Sequence, residues 1–185
     1  MIQQDMDNSV TTQEVEISAG ISPDNVEEIL SMIGASGLFS PDEMASAESL
    51  AWDSAYGDGS GPETFLKATV TEEGQETIIG FICFGPIQFW PGDYELYALA
   101  VDPQFQRLGI GSALLSEMRE IISYEGGNRI FLETKPGRAF ESARIFCEAN
   151  YFVHEQRYMK QLVPENGGLV YRYDLATENA EDQHQ

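Results

Sequence analysis

The feature that most constrains this chain is the run LYALAVDPQFQRLGIGSALL at residues 96–115. A strand-like apolar segment ends at Asp102-Pro103, a polar hinge follows, and a helical pattern begins directly after two glycines. Glycine lets a ligand approach the backbone closely, and the N–H groups at the start of a helix favour negative charge. Arg107 adds a permanent cation that pairs well with phosphate. The run therefore predicts an anion-binding loop, for which a pyrophosphate is the best-suited ligand.

Two other interpretations of the same glycines stay open. A dinucleotide-binding fingerprint needs a small residue at its third position, where this chain has Leu114, although Glu133 at the end of the next strand resembles the acid that binds a ribose. A plain tight turn between strand and helix explains the glycines but not the full pattern Q-R-x-G-x-G.

Periodicity along the chain predicts the element order ααβββαβαββ. Two helices should begin at Ser22-Pro23 and Ser40-Pro41, where a capping serine precedes a proline in the first turn. The two central strands are joined through a helix and should be parallel, while the remaining strands should pair antiparallel. The predicted fold class is α+β with one mixed sheet.

The length is that of one domain, which we expect to span residues 1–185 with an ordered core of about 14–175. The two ends, 1–12 and 176–185, are polar and aperiodic, so flexibility is expected there. The final pair of strands is predicted in YFVHEQRYMKQLV and GLVYRYDL.

Charge and composition narrow the class of partner. The formal net charge is −21, and residues 1–105 hold 19 acidic residues against one basic residue, Lys67. Nucleic acid is excluded as an expected partner because phosphate binding needs a basic face. The acidic half is explained by solubility in a salty habitat or by attraction of a cationic substrate, and both remain open.

Two cysteines and two histidines give no disulfide framework and predict no metal site. No apolar run approaches the ~20 residues that span a bilayer, and the first residues have no pattern of a secretory signal. We therefore expect a cytoplasmic protein with no membrane partner.

Beyond composition, the sequence resembles the GNAT (Gcn5-related) N-acetyltransferases. Q-R-L-G-I-G matches their Q/R-x-x-G-x-G/A signature, and LYALAVDP is similar to the strand before it. ARIFCEANYF is similar to the family segment A-x-x-x-Y-x-x-x-G-F, and the predicted order of elements is the family's order. The resemblance covers about residues 14–175 and implies an acetyl-CoA-dependent N-acetyltransferase.

The resemblance implies a CoA site at two splayed strands, Tyr94–Asp102 and Arg129–Thr134. The pantetheine arm would bond to the backbone of the first strand as an added strand does. Arg138 or Arg144 could reach the 3′-phosphate, although either arginine could equally be a solvated helix residue. The implied cofactor-binding residues, apart from Arg144, are Leu99, Ala100, Val101, Gln106, Arg107, Leu108, Gly109, Ile110, Gly111 and Ser112.

The implied chemistry is attack of an amine on a thioester, which requires removal of a proton from the amine. Glu95 has the family spacing for a general base, although a salt-bridged strand glutamate is the alternative. Tyr94 and Tyr97 flank it and are predicted to line the acceptor pocket together with Phe39, since the acceptor would enter around Gly37–Glu43. A backbone N–H near Leu99 or Ala100 would hold the oxyanion.

One departure from the family concerns the general acid. Cys147 stands at the position of the family's tyrosine, and Tyr151 stands at that of its glycine. Cys147 could donate the proton, Tyr151 could substitute, or neither acts, because a thiol with a pKa of ~8.5 leaves readily as thiolate. Cys147 could also be a small buried helix residue. Asn150 is the predicted left-handed helix terminator.

The predicted function is therefore acetylation of a primary amine, with a small cationic or amino-acid-like acceptor first and a protein N-terminus or lysine second. Two alternatives remain: a catalytically weak acyl-CoA-binding regulatory module, and an interaction protein that keeps only the fold. Acyl chain length and a homodimer are left open.

Overall fold

The protein alternates helices and strands in the predicted order, with one strand added in front. The structure is a computed structural model, and it describes residues 14–58, 61–155 and 167–175. The predicted flexible ends and residues 156–163 of the predicted penultimate strand lie outside these ranges. The elements are β1 (Val15–Ala19), α1 (Pro23–Ser36), α2 (Pro41–Tyr56), β2 (Thr64–Glu72), β3 (Gln75–Pro86), β4 (Asp93–Val101), α3 (Ile110–Tyr124), β5 (Arg129–Thr134), α4 (Glu141–Ala149), β6 (Val153–His154) and β7 (Leu169–Asp174), with short 3-10 turns at Pro103–Phe105 and Arg138–Phe140.

Strand β1 is the element that the sequence did not predict. Its apolar residues Val15, Ile17 and Ala19 alternate with polar ones over only five positions, which is too short a pattern to separate a strand from a loop. The strand forms because β2 supplies the partner, with Val15 opposite Val70 and Ala19 opposite Leu66. It lies at one edge of the sheet.

Within the described ranges the strands form one sheet in the order β1-β2-β3-β4-β5-β7-β6. The β4–β5 pair is parallel, and the other pairs among those ranges are antiparallel. This confirms the predicted mixed sheet, in which the helical crossover through α3 returns the chain in the same direction.

Each face of the sheet carries its own apolar core. Helix α3 covers one face with a buried stripe whose members include Leu114, Leu115 and Met118, and Cys147 of α4 joins the same core. Helices α1 and α2 cover the opposite face, where Val26, Ile29, Met32, Ile33 and Ala51 meet Phe65, Ile78, Phe81 and Cys83. Strand β4 therefore has one side toward α3 and the other toward α1 and α2.

Helices α1 and α2 begin where the sequence predicts, one residue after Ser22 and Ser40. At α2 the Ser40 hydroxyl accepts from the Glu43 N–H at 3.3 Å, and Glu43 Oε2 accepts from the Ser40 N–H at 2.7 Å. This capping box satisfies two N–H groups that lack helical partners. It also fixes the Glu43 carboxylate at the junction between the two helices.

A buried ion pair ties the first residues of the parallel strands together. Arg129 donates two hydrogen bonds to Asp93, from Nε to Oδ1 at 2.8 Å and from Nη2 to Oδ2 at 2.7 Å. The Asp93 side chain is 2% exposed and that of Arg129 is 34% exposed. The two strands are therefore clamped where they begin.

Candidate active site

The parallel strands separate beyond their first four residues. Their pairing runs from Asp93 opposite Arg129 to Leu96 opposite Leu132, and no further pairs between the two strands follow in the described register. Along its other edge β5 pairs with β7 over its whole length, from Arg129 to Thr134. A gap therefore opens between the carboxyl ends of β4 and β5, as the resemblance implied.

A bulge in β4 sets which side chains face the gap from each side. Cys83 of β3 lies opposite Ala98 and Phe84 lies opposite Leu96, which leaves Tyr97 as an extra residue in β4. Leu96 and, beyond the bulge, Leu99 pack on the α3 side, whereas Ala98 packs on the α1–α2 side.

The loop after β4 presents a helix start to the same end of the sheet. Arg107 has a φ of +67° and Gly109 a φ of +87°, so the chain turns through two left-handed residues before α3 begins. The first helical bond there runs from the Ala113 N–H to the Gly109 oxygen, and the N–H groups of Ile110 to Ser112 precede it. These amides have no carbonyl partner within the helix, and together with the helix dipole they suit an anion.

The two glycines of the loop serve different purposes. Gly109 supplies the left-handed turn. Gly111 leaves room for the Phe146 ring of α4, because a Cβ at residue 111 would lie 3.1 and 3.2 Å from two of its carbons. Gly111 therefore has a packing reason, and the expectation that it also allows a ligand to approach stays a prediction. Gln106 ties the loop back to β4 through a 3.0 Å bond from Nε2 to the Val101 oxygen, while Leu108 stands 70% exposed.

The carboxylate of Glu95 belongs to the α1–α2 face. Its neighbours Tyr94 and Leu96 pack on the α3 side, and alternation along a strand directs Glu95 to the other side. Burial raises the pKa of Glu95, and the charge of Glu133 raises it further. A carboxyl group with a raised pKa is a better proton acceptor in a mildly acidic to neutral solution.

The structure separates the two tyrosines that were predicted to flank Glu95. Tyr94 lies on the α3 side, and its hydroxyl donates to Glu125 Oε2 at 2.8 Å, so it is not brought to Glu95. Tyr97 lies in the bulge and rests over Gly85, where an added Cβ would be 3.2 Å from its ring and 3.2 Å from its hydroxyl. Burial raises the pKa of Tyr97 to about 12, and the charges of Glu95 and Glu63 add to the effect. Tyr97 therefore stays protonated beside Glu95.

Further acidic groups, not among the predicted site residues, act on Glu95 or on its neighbours. Burial raises the pKa of Glu133, the charge of Glu43 raises it further, and the charge of Lys135 lowers it in part. The charge of Glu63 adds to the raised pKa of Tyr97. Burial raises the pKa of the Cys83 thiol, and the charge of Glu63 raises it further. In the sequence, Glu133 stands at the end of a strand and Glu43 stands in a capping box. Neither position shows which residues lie next to it in space.

Cys147 and Tyr151 occupy the end of α4 in different environments. Cys147 is 6% exposed within the α3-side core, and burial raises the pKa of its thiol to about 11. Tyr151 is 79% exposed and has a φ of +66°. The Phe152 N–H bonds to the Cys147 oxygen and the Tyr151 N–H to the Glu148 oxygen, which is a Schellman termination. The left-handed terminator is therefore Tyr151 and not Asn150, whose φ is −100°.

The remaining predicted residues lie around the opening. Arg144 donates from Nη1 to the Lys135 oxygen at 2.8 Å, so its guanidinium holds the segment after β5. Arg138 is in the short turn before α4. Phe39 lies between α1 and α2 and is partly buried against their core.

Known proteins of one family are similar to this chain in sequence and in structure. A family model described as Acetyltransferase (GNAT) family matches residues 32–146. A GNAT-family protein from Desulfovibrio desulfuricans is 27% identical, with a TM-score of 0.76 over 88% of this chain and 100% of that one. A search of curated proteins found no match.

Two more distant structures show the same fold. The PaiA N-acetyltransferase from Thermoplasma acidophilum, in complex with coenzyme A, is 20% identical with a TM-score of 0.65 over 87% of this chain and 99% of that one. An aminoglycoside 6′-N-acetyltransferase complexed with coenzyme A is 14% identical with a TM-score of 0.64 over 88% and 98%.

The splayed parallel pair, the glycine loop and the family match together define an acyltransferase that takes its acyl group from CoA. The chain belongs to the GNAT acetyltransferase family, and acetyl-CoA is its co-substrate. In the described ranges no helix is long and apolar enough to cross a membrane, and no group of three or more His, Cys, Asp and Glu side chains could hold a metal ion.

Proposed function

We propose that this acetyltransferase transfers the acetyl group to a primary amine of a small cationic acceptor. The observation that carries the proposal is the position of Glu95, which faces the α1–α2 side beside the open end of the parallel strands and within reach of the Glu133 charge. Carboxylates grouped at one opening attract a cationic amine and favour its approach.

CoA is proposed to lie in the gap and on the loop. The amides of residues 109–112 and the Arg107 side chain fit a pyrophosphate, because they combine unpaired N–H groups with a permanent cation. The β4 backbone at Leu99–Val101 fits the amide groups of the pantetheine arm in the manner of an added strand. When bound, acetyl-CoA supplies the activated thioester carbonyl.

Glu95 is proposed to take a proton from the acceptor amine, so that the nitrogen lone pair is free to form the new C–N bond as the C–S bond breaks. The backbone N–H of Leu99 or Ala100 is proposed to hold the carbonyl oxygen as it gains charge. The proposal requires no protein acid for the sulfur, because a thiolate leaves readily. Tyr97, which lies beside Glu95, and Phe39, which lies between α1 and α2, are proposed to line the path of the acceptor.

The test has two stages. First, acetyl-CoA should raise the unfolding temperature of the protein, since a ligand that binds only the folded state stabilises it. Second, thiol release should be measured with spermidine, putrescine, lysine amide and a decapeptide that has a free N-terminus. We expect turnover with at least one of the small amines. Stabilisation without turnover of any acceptor would instead favour a regulatory CoA-binding module.

The base is tested by Glu95→Gln, with Glu16→Gln in edge strand β1 as the matched control. Glu95→Gln should lower kcat by about 100-fold or more, the scale of a general base, while the affinity for acetyl-CoA stays close to that of the wild type. Glu16→Gln should leave both unchanged. A wild-type kcat in Glu95→Gln would remove Glu95 from the mechanism.

A further inference from the structure

An ion pair joins the α1–α2 junction to the segment that leaves β5. The Nζ atom of Lys135 lies 2.7 Å from Oε1 of Glu43 and 2.7 Å from Oε2. Burial alone would raise the pKa of Glu43, but the hydrogen bonds from Lys135 and Ser40 hold it below its usual value. Glu43 is therefore an ionised partner of Lys135 in neutral solution.

Each partner is also held from its own side. Glu43 caps α2 through the Ser40 N–H, which fixes its carboxylate relative to the helix junction. The carbonyl of Lys135 accepts from Arg144 of α4, and its Nζ lies 5.7 Å from the centre of the Phe140 ring. The contact is thus a bridge between two anchored segments.

The bridge lies beside the gap between the parallel strands, at the end of β5. Helix α2 covers the sheet face on which Ala98 and Ala100 of β4 lie, and Lys135 directly follows β5. The contact from α2 to Lys135 therefore lies at the carboxyl end of β5, beyond the last residue that pairs with β4. The charge of Glu133 raises the pKa of Glu95, and the charge of Glu43 raises the pKa of Glu133. The three carboxylates therefore share this region.

We propose that Glu43 and Lys135 are specificity-determining residues that close the acceptor entrance to bulky amines. The proposal rests on the proposed function, because it assumes that the amine approaches Glu95 from the α1–α2 face. The side chains of Lys135 and Glu43 are 40% and 42% exposed, so the closure is weak and solvated. A slender amine passes beside the pair, whereas a polypeptide end requires the pair to break.

The experiment compares acceptors of different width in wild type, Lys135→Met, Glu43→Gln and the double variant. Spermidine serves as the slender acceptor, and a lysine-free decapeptide with a free N-terminus as the wide one. Glutamine at 43 still accepts the Ser40 N–H, so the helix cap is preserved. Lys67→Met is the matched control, because it removes the lysine of another ion pair, Lys67–Glu76 in β2 and β3.

Breaking the pair should raise the ratio of kcat/KM for the decapeptide over that for spermidine by about threefold or more, the scale of an exposed ion pair. The change should appear in KM for the decapeptide, and the double variant should match the single ones. Amide hydrogen exchange of residues 37–43 should also speed up in Lys135→Met, because the junction loses its tether. Lys67→Met should change neither readout.

The outcomes separate the inference from the proposed function. A wild-type enzyme that acetylates none of the small amines overturns the proposed function and the inference with it. A wild-type enzyme that acetylates spermidine, with an unchanged acceptor ratio in the variants, overturns the inference alone. Unchanged exchange at residues 37–43 in Lys135→Met also overturns it.

Discussion

Removal of Arg129 should destabilise the protein far more than neutralisation of its partner Asp93. In Arg129→Met the Asp93 carboxylate, 2% exposed, loses its cation inside the sheet. Breaking a buried pair in this way costs about 3–5 kcal/mol, and the 34% exposure of Arg129 places the loss near the lower end, about 3 kcal/mol. In Asp93→Asn the arginine still reaches water and one acceptor remains, so we expect about 1 kcal/mol.

Urea and thermal unfolding measure the difference. For a domain of this length 1 kcal/mol corresponds to roughly 2–4 °C in Tm, so the two variants should differ by several degrees. The double variant Asp93→Leu with Arg129→Met should recover much of the lost stability, because an apolar pair leaves no buried charge. Equal losses in the two single variants, or a larger loss in Asp93→Asn, would refute the account of the asymmetry.

Three further predictions concern the site. Glu133→Gln removes a negative charge that raises the pKa of Glu95, so the acidic limb of the kcat–pH profile should move to lower pH. Gly111→Ala should weaken acetyl-CoA binding and lower stability by roughly 1–3 kcal/mol, because the new Cβ would lie 3.1 Å from the Phe146 ring, closer than an ordinary contact, and would displace the start of α3. Tyr151→Gly should keep or raise stability, since glycine adopts the left-handed φ freely, and it should retain activity because Tyr151 lies exposed at the helix end.

Each of these has a control and a contrary result. Glu76→Gln should leave the pH profile in place, and an unmoved limb in Glu133→Gln would remove the coupling between the two carboxylates. Gly126→Ala, at the far end of α3, should leave acetyl-CoA affinity unchanged. A wild-type acetyl-CoA affinity in Gly111→Ala would contradict the expected effect of crowding Phe146 on the binding loop. Loss of activity in both Tyr151→Gly and Tyr151→Phe would restore Tyr151 as a proton donor.

Local signals predicted the helix starts and the glycine loop well. Ser40 and Pro41 specify the beginning of α2 through groups a few residues apart, and the Q-R-L-G-I-G run specifies a turn into α3 in the same way. The element order followed from these signals and from periodicity. Strand β1 escaped prediction because its pairing with β2, and not its own pattern, makes it a strand.

The residues around Glu95 could be predicted only in part. Strict alternation already places Tyr94 on the other face from Glu95, and the sequence interpretation that grouped them as neighbours overlooked it. The ion pair between Glu43 and Lys135 joins residues 92 positions apart, so no local pattern announces it. Which acidic residues meet at the opening depends on how α2 crosses the sheet, and that is decided by packing of the α1–α2 core.

The extra residue in β4 shifts the alternation of side chains along the strand by one position. Before Tyr97 the even-numbered positions 94 and 96 lie on the α3 side, and after it the odd-numbered positions 99 and 101 do so. Deletion of Tyr97 would therefore remove the bulge and place Ala98 directly after Leu96, in the regular alternation of a strand. Leu99 and Val101 would keep the α3 side, and Ala98 and Ala100 would keep the α1–α2 side. Near the bulge β4 can thus lose one residue without any other side chain changing face, whereas a single deletion in an unbulged strand shifts every later residue to the opposite face.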